Sequence, residues 1–137
     1  MDSLFVDTSG WIEVFGKNNP QHKKAREILD IVIDERRLII TTNYVIAEFV
    51  GRGGNACSLL RPALVAVLDN ILNLPNIKIE HIGVESHALA ITLIRGRPDK
   101  DWSLVDATSF NVMTQRGIHE ALTTDHHFEQ AGFIKLL

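Results

Sequence analysis

Cysteine is almost missing from this chain: Cys57 stands alone in 137 residues. A disulfide scaffold is thereby excluded, and a reducing setting such as the cytoplasm is expected. Long apolar runs are missing too. The longest, around Ala63 to Leu74, is broken by Asp69 and Asn70. It falls short of the ~20 residues that a membrane span needs. The opening MDSLFVD has an acid at position 2 and no basic cluster, so no secretory signal is expected. There is no excess of positive charge, the formal net charge being −3 and the pI about 6.0. A protein held to nucleic acid by charge alone is usually basic, so composition argues against that class. Internal repeats and low-complexity segments are absent, which excludes fibrous and disordered architectures.

What remains reads as one globular domain over residues 1–137, with 45% apolar and 23% charged residues. Segments of two kinds alternate. Leu4–Val6, Leu38–Thr41, Ile77–Ile79, Ala121–Thr123 and Phe133–Leu136 are short β-branched or apolar runs that predict buried strands. Between them, His22–Arg36 carries Ala25, Ile28, Leu29, Val32 and Ile33 at the spacing of an amphipathic helix. Further helices are predicted over Asn43–Val50, Leu59–Leu74, Val84–Arg95 and Ser103–Gln115. Pro62 falls in a first turn, where proline is tolerated. Gly96 and Gly117 mark expected C-terminal stops. The alternation predicts a three-layer α/β/α domain with a mainly parallel sheet of about five strands. In such sheets ligands bind beyond the carboxyl ends of the strands.

Acids fall at those ends. Asp7 follows the first strand in FVDTSGW, and Asp125 follows the fourth in ALTTDHHF. Helix capping is the competing explanation for both. Glu48 is the only charged residue in YVIAEFV, which reads as a buried helix apolar all round. A carboxylate there costs several kcal/mol unless it is paired, as with Arg52 one turn on, or bound to a metal. Asp106 forms with Ser103 the S-x-x-D pattern of a capping box, with Trp102 and Ala107 at the staple positions. Capping does not stop Asp106 from facing a crevice. Two carboxylates about 4 Å apart repel by about 4 kcal/mol at an effective dielectric near 20. A cluster of Asp7, Glu48, Asp106 and Asp125 therefore calls for a cation. Its hard oxygen donors suit Mg2+ or Mn2+, which neutralise phosphoryl charge and activate water.

The strings FVDTSGWIEVF, TTNYVIAEFV, DWSLVDATSF and ALTTDHHFEQAGF, in this order and spacing, resemble PIN-domain ribonucleases. More narrowly they resemble VapC-type toxins of toxin–antitoxin pairs, over essentially the whole chain. The resemblance implies a PIN-like fold and four acidic metal-site and catalytic residues, Asp7, Glu48, Asp106 and Asp125. Asp101 is a second candidate in the third string. It further implies a Mg2+- or Mn2+-dependent endoribonuclease leaving 5′-phosphate and 3′-hydroxyl ends. The implied partners are RNA, a small antitoxin protein and a second copy in a homodimer, with no membrane involved.

The other polar residues carry less. Thr8 and Thr124 flank acids and are expected to orient waters beside them. His126 and His127 are adjacent, so they are expected to point apart, to form no joint metal site and to lie exposed. His22, His81, His87 and His119 form no ligand spacing. Trp102 could stack on a base, although packing over Ser103 is the stronger expectation. GRGGN at 51–55 lacks a following Lys-Ser or Lys-Thr, so it is no phosphate loop and reads as a flexible link. Some of Arg52, Arg61, Arg95, Arg97, Lys100 and Arg116 should rim the crevice. Two other functions compete with a toxin: RNA processing on the same fold, and phosphoaspartate chemistry. A haloacid-dehalogenase-like phosphatase wants a second acid at position 9, which is Ser9. An inactive adaptor would not need all four acids.

Overall fold

The computed structural model describes residues 2–137. Five short strands build one sheet: β1 (Leu4–Val6), β2 (Ile39–Thr42), β3 (Ile77–Glu80), β4 (Glu120–Leu122) and β5 (Ile134–Lys135). Their order is β3-β2-β1-β4-β5, and every pairing is parallel. Each predicted strand is present to within a residue or two. β1 and β2 are buried throughout, which is why their sequences show no polar alternation. β1 is central, with Leu4 and Phe5 opposite Ile39 and Ile40 on one side. On the other side Val6 lies opposite Leu122. The chain leaves β1 towards β2 and returns to its far side with β4. The C-terminal edge of β1 is thus the point where the strand order reverses.

Helices cover both faces and complete the three layers. α1 (Thr8–Phe15) and α2 (His22–Asp34) follow β1, and α3 (Asn43–Ala56) and α4 (Arg61–Leu72) follow β2. α5 (Val84–Gly96) and α6 (Leu104–Arg116) follow β3, and a single turn, α7 (His127–Gln130), follows β4. One hydrophobic core binds the layers, centred on Leu4, Phe5, Trp11, Leu29, Ile39, Ile40, Phe49, Met113, Leu122 and Phe128. A Cβ on Gly10 would stand 2.1 Å from the carbonyl oxygen of Leu122. Only glycine therefore lets α1 lie this close to β4.

The helix predictions need three corrections. α3 does not stop at Val50 but runs to Ala56, so GRGGN is helical rather than a link. Gly53 explains the exception to propensity: its α-carbon packs between Phe49 and Leu64, where a Cβ would meet their side chains at 3.0 to 3.1 Å. Nor is α3 buried all round, since only Val45, Phe49 and Gly53 are buried on it. Gly96 ends α5 without a left-handed turn, and Arg97 caps it. Gly117 does take the left-handed conformation expected of a stop, at φ 64°. No described helix is long and apolar enough to cross a membrane.

Candidate metal centre

Asp7, Glu48, Asp106 and Asp125 all line one cleft of about 340 Å3, together with Asp101, Arg52 and His127. Each comes from a different element. Asp7 ends β1, Glu48 projects from the second turn of α3, Asp106 sits in the first turn of α6, and Asp125 follows β4. The cleft lies where the strand order reverses.

Asp7 occupies the N-cap position of α1 but makes no side-chain capping bond. Instead its Oδ2 accepts from the hydroxyls of Thr123 at 3.1 Å and Ser9 at 3.4 Å. Only 4% of the residue is exposed. Burial, reinforced by the charges of Asp106 and Glu48, raises its pKa to about 7 despite the backbone and Thr123 hydrogen bonds. An acid held so far above its ordinary range lacks a positive partner.

Asp106 does cap its helix. Ser103 Oγ accepts from the Asp106 amide, and Asp106 Oδ2 accepts from the Ser103 amide, both at 3.0 Å. The capping explanation therefore holds for Asp106, and the same carboxylate still faces the cleft. Burial raises its pKa, the Asp125 charge adds to the rise, and Ser103 and His127 oppose it.

Asp125 is fixed by local bonds. Its amide donates to Thr123 Oγ1 at 3.0 Å, and its Oδ1 accepts from the His127 amide at 2.9 Å. Glu48 is less buried than its apolar context suggests, with 30% of its side chain exposed. It pairs with Arg52 at 3.7 Å, as the competing explanation anticipates. Such a half-exposed pair leaves its second carboxylate oxygen available.

Thr8 Oγ1 is buried without a protein partner, and Thr124 is exposed and lines the cleft. The hydroxyls that bond the acids are those of Thr123 and Ser9, which lie 2.9 Å apart. One sequence expectation fails here: His127 is not a surface residue. Its Nδ1 stands 3.1 Å from Asp106 Oδ2 and 3.2 Å from Asp125 Oδ1, and its side chain is 20% exposed. His126 is 71% exposed, as expected. Even so, Asp125, His126 and His127 bring one ligand atom each within 4.8 Å of one another and could hold a metal ion. A turn that brings both rings back over Asp125 was invisible in the dipeptide itself.

The donor set fits a divalent cation. Hard carboxylate oxygens dominate, one of them on a buried acid without a positive partner, and among the described residues Arg52 is the one Arg or Lys side chain lining the cleft.

An all-parallel α/β sheet with acids converging at its switch point defines a recognisable class of domain. The chain belongs to the PIN domain family, whose model matches residues 4–134. It is similar to the 23S rRNA-specific endonuclease VapC20 of two Mycobacterium tuberculosis strains, CDC 1551/Oshkosh and ATCC 25618/H37Rv. Identity to each is 27% over 133 residues, covering 97% of both chains. It also matches the crystal structure of M. tuberculosis VapC20, described as a sarcin-ricin loop cleaving toxin. The TM-score is 0.81 at 27% identity, over 96% of each chain.

Proposed function

We propose that this chain is a Mg2+- or Mn2+-dependent endoribonuclease and the toxin of a toxin–antitoxin pair, acting on a structured loop of ribosomal RNA. The observation that carries the reading is the convergence of four carboxylates from four elements on one cleft, with Asp7 pushed up to about 7. The endonuclease and toxin activities described for the VapC20 relatives, matched over nearly the full chain, supply the reaction class and the RNA target.

In this reading Asp7, Glu48, Asp106 and Asp125 hold the ion. When bound, it neutralises the cleft, polarises the phosphoryl group and lowers the pKa of water. Thr123 and Ser9 aim Asp7, and His127 spaces Asp106 from Asp125. Arg52 meets the RNA backbone beside the scissile phosphate. Water attacks phosphorus in line with the departing 3′-oxygen, and a carboxylate free of the metal, such as Asp101, accepts the water's proton. The P–O3′ bond breaks with its electron pair going to the 3′-oxygen, which takes a proton from solvent water, giving a 5′-phosphate and a 3′-hydroxyl. The antitoxin is a small protein that covers the cleft and answers its negative charge with a basic side chain. Two copies of the toxin form a homodimer.

The test uses purified protein and structured RNAs that include ribosomal loops. Cleavage should occur with Mg2+ or Mn2+ and stop in EDTA. Undiminished cutting in EDTA, or none of any RNA with either metal, overturns the reading. Expression alone should arrest growth, and co-expression of the adjacent small gene should relieve the arrest.

A further inference from the structure

Behind the acidic cleft lies a second cavity of about 340 Å3, lined in part by Arg97, Trp102, Phe110, Asn111, Thr114 and Gln130. It shares its walls with the cleft. Asp101 and Ser103 line the cleft, while Trp102 between them lines the cavity. On α6, Asp106 faces the cleft and Phe110, one turn on, faces the cavity. On α7, His127 and Gln130 divide in the same way. The two spaces are thus about one helical turn apart, roughly 5.4 Å along α6.

The chemistry of the second cavity differs from that of the first. Its floor is aromatic: Trp102 packs edge-on against Phe110 at 5.0 Å between ring centroids. The guanidinium carbon of Arg97 lies 5.1 Å from the Trp102 ring centroid. Asp99 holds that guanidinium through two bonds of 3.0 Å, from Nε and Nη2. Asp99 thereby neutralises Arg97 and occupies the fork that would grip a phosphate. What Arg97 still offers is its flat face, and Arg planes stack on unpaired RNA bases. Gln130 Oε1 accepts from the Trp102 indole at 3.0 Å, so its amide nitrogen remains a donor. Asn111 and Thr114 add an amide and a hydroxyl to the same wall. The volume sits at the small end of ligand pockets, in the range of a single planar group.

We propose that this cavity receives an unpaired nucleobase next to the scissile phosphate, stacked on Arg97 above Trp102 and read at its edge by Asn111. The proposal rests on the nuclease reading for the phosphate that anchors the RNA. It adds the feature that selects the cut site: a nucleotide splayed out of its stack, as loops present and duplexes do not.

The test uses a pool of RNA hairpins with randomised loops and three proteins: wild type, Arg97→Ala and Asn111→Ala. With Mn2+, sequencing of the new 5′ ends gives the base preference on either side of the cut. Each variant should lose about tenfold in kcat/KM, the scale of one lost base contact. Preference at one position beside the cut should flatten, while the Mn2+ concentration dependence stays as in wild type. Arg97→Lys should not rescue, because an ammonium has no planar face. Unchanged preference and unchanged kcat/KM in both alanine variants overturn the base pocket and leave the nuclease standing. A second measurement follows tryptophan fluorescence in EDTA as the hairpins are added. Wild type should be quenched and both variants less so. If wild type cuts no hairpin, the nuclease reading falls and this titration decides the pocket alone. Quenching that the variants lose supports the pocket, and no quenching in wild type overturns it.

Discussion

The Nδ1 of His127, the first residue of α7, lies 3.1 Å from Oδ2 of Asp106 in the first turn of α6. The same nitrogen is 3.2 Å from Asp125 Oδ1. One imidazole thus fixes the distance between two acids that would otherwise repel, and it lowers the pKa of Asp106 against the effect of burial. His127→Ala should cost about 10- to 100-fold in cleavage rate, the scale for residues that orient metal ligands. Rates at saturating Mn2+ would check this. Activity within a factor of two of wild type would deny His127 a part in the site.

Asp7 ties stability to pH. Its pKa rises from an ordinary 3.8 to about 7 on folding. Between those values the folded protein keeps a proton that the unfolded chain has released. Stability must therefore fall as pH climbs through that window, and level off above it. The loss is on the order of a few kcal/mol. Asp7→Asn removes it, since Asn stays neutral and can still accept from Thr123 and Ser9. In metal-free buffer the variant should melt above wild type at pH 8, with the gap closing towards pH 4. A gap of the same size at both ends would contradict the assignment. Added Mn2+ should raise the wild-type melting temperature by linkage and raise that of Asp7→Asn less.

Glu48→Gln separates charge from shape. The residue is half-buried and its pair with Arg52 is loose, at 3.7 Å. The amide should therefore leave the melting temperature within a few degrees of wild type. Cleavage should fall below detection, because an amide is a weak ligand for a hard cation. Measurable wild-type-like cleavage by this variant would remove Glu48 from the ligand set.

Thr123→Val probes the support beneath the acids. The hydroxyl donates to Asp7, accepts from the Asp125 amide and lies against Ser9 Oγ. Valine keeps the shape but leaves buried polar groups without partners, at a cost of about 1–3 kcal/mol. Calorimetry should show a lower melting temperature, and cleavage should drop with it as Asp7 and Asp125 lose their common anchor. Serine at the same position should restore most of both.

The sheet was legible because buried parallel strands leave runs such as LFV and IITT with no polar alternation. The acids were legible because charge stands out in apolar surroundings, as Glu48 does in YVIAEFV. α1 was not legible: TSGWIEVF is eight residues long and rich in poor helix formers. Tertiary packing of Gly10 and Trp11 holds it instead. The glycines of α3 misled for the same reason, since close contact with Phe49 and Leu64 decides that segment and not propensity. Ser9, Thr123 and His127 carry no local signal. Their roles arise from the register that sets Val6 against Leu122, which only the folded sheet reveals.

That register also governs when the protein can first act. β1 lies at the centre of the sheet, yet one of its two neighbours, β4, arrives more than a hundred residues later in the chain. Until it does, Leu4–Val6 presents an apolar strand with one edge unpaired, and Asp7 has neither Thr123 nor Asp125 beside it. Any chain interrupted before Glu120 consequently lacks the completed acidic cleft and leaves an unpaired strand edge, a feature that invites aggregation. Long-range closure of the sheet makes the site all-or-none: its four acids meet only when the segment beyond β4 is in place.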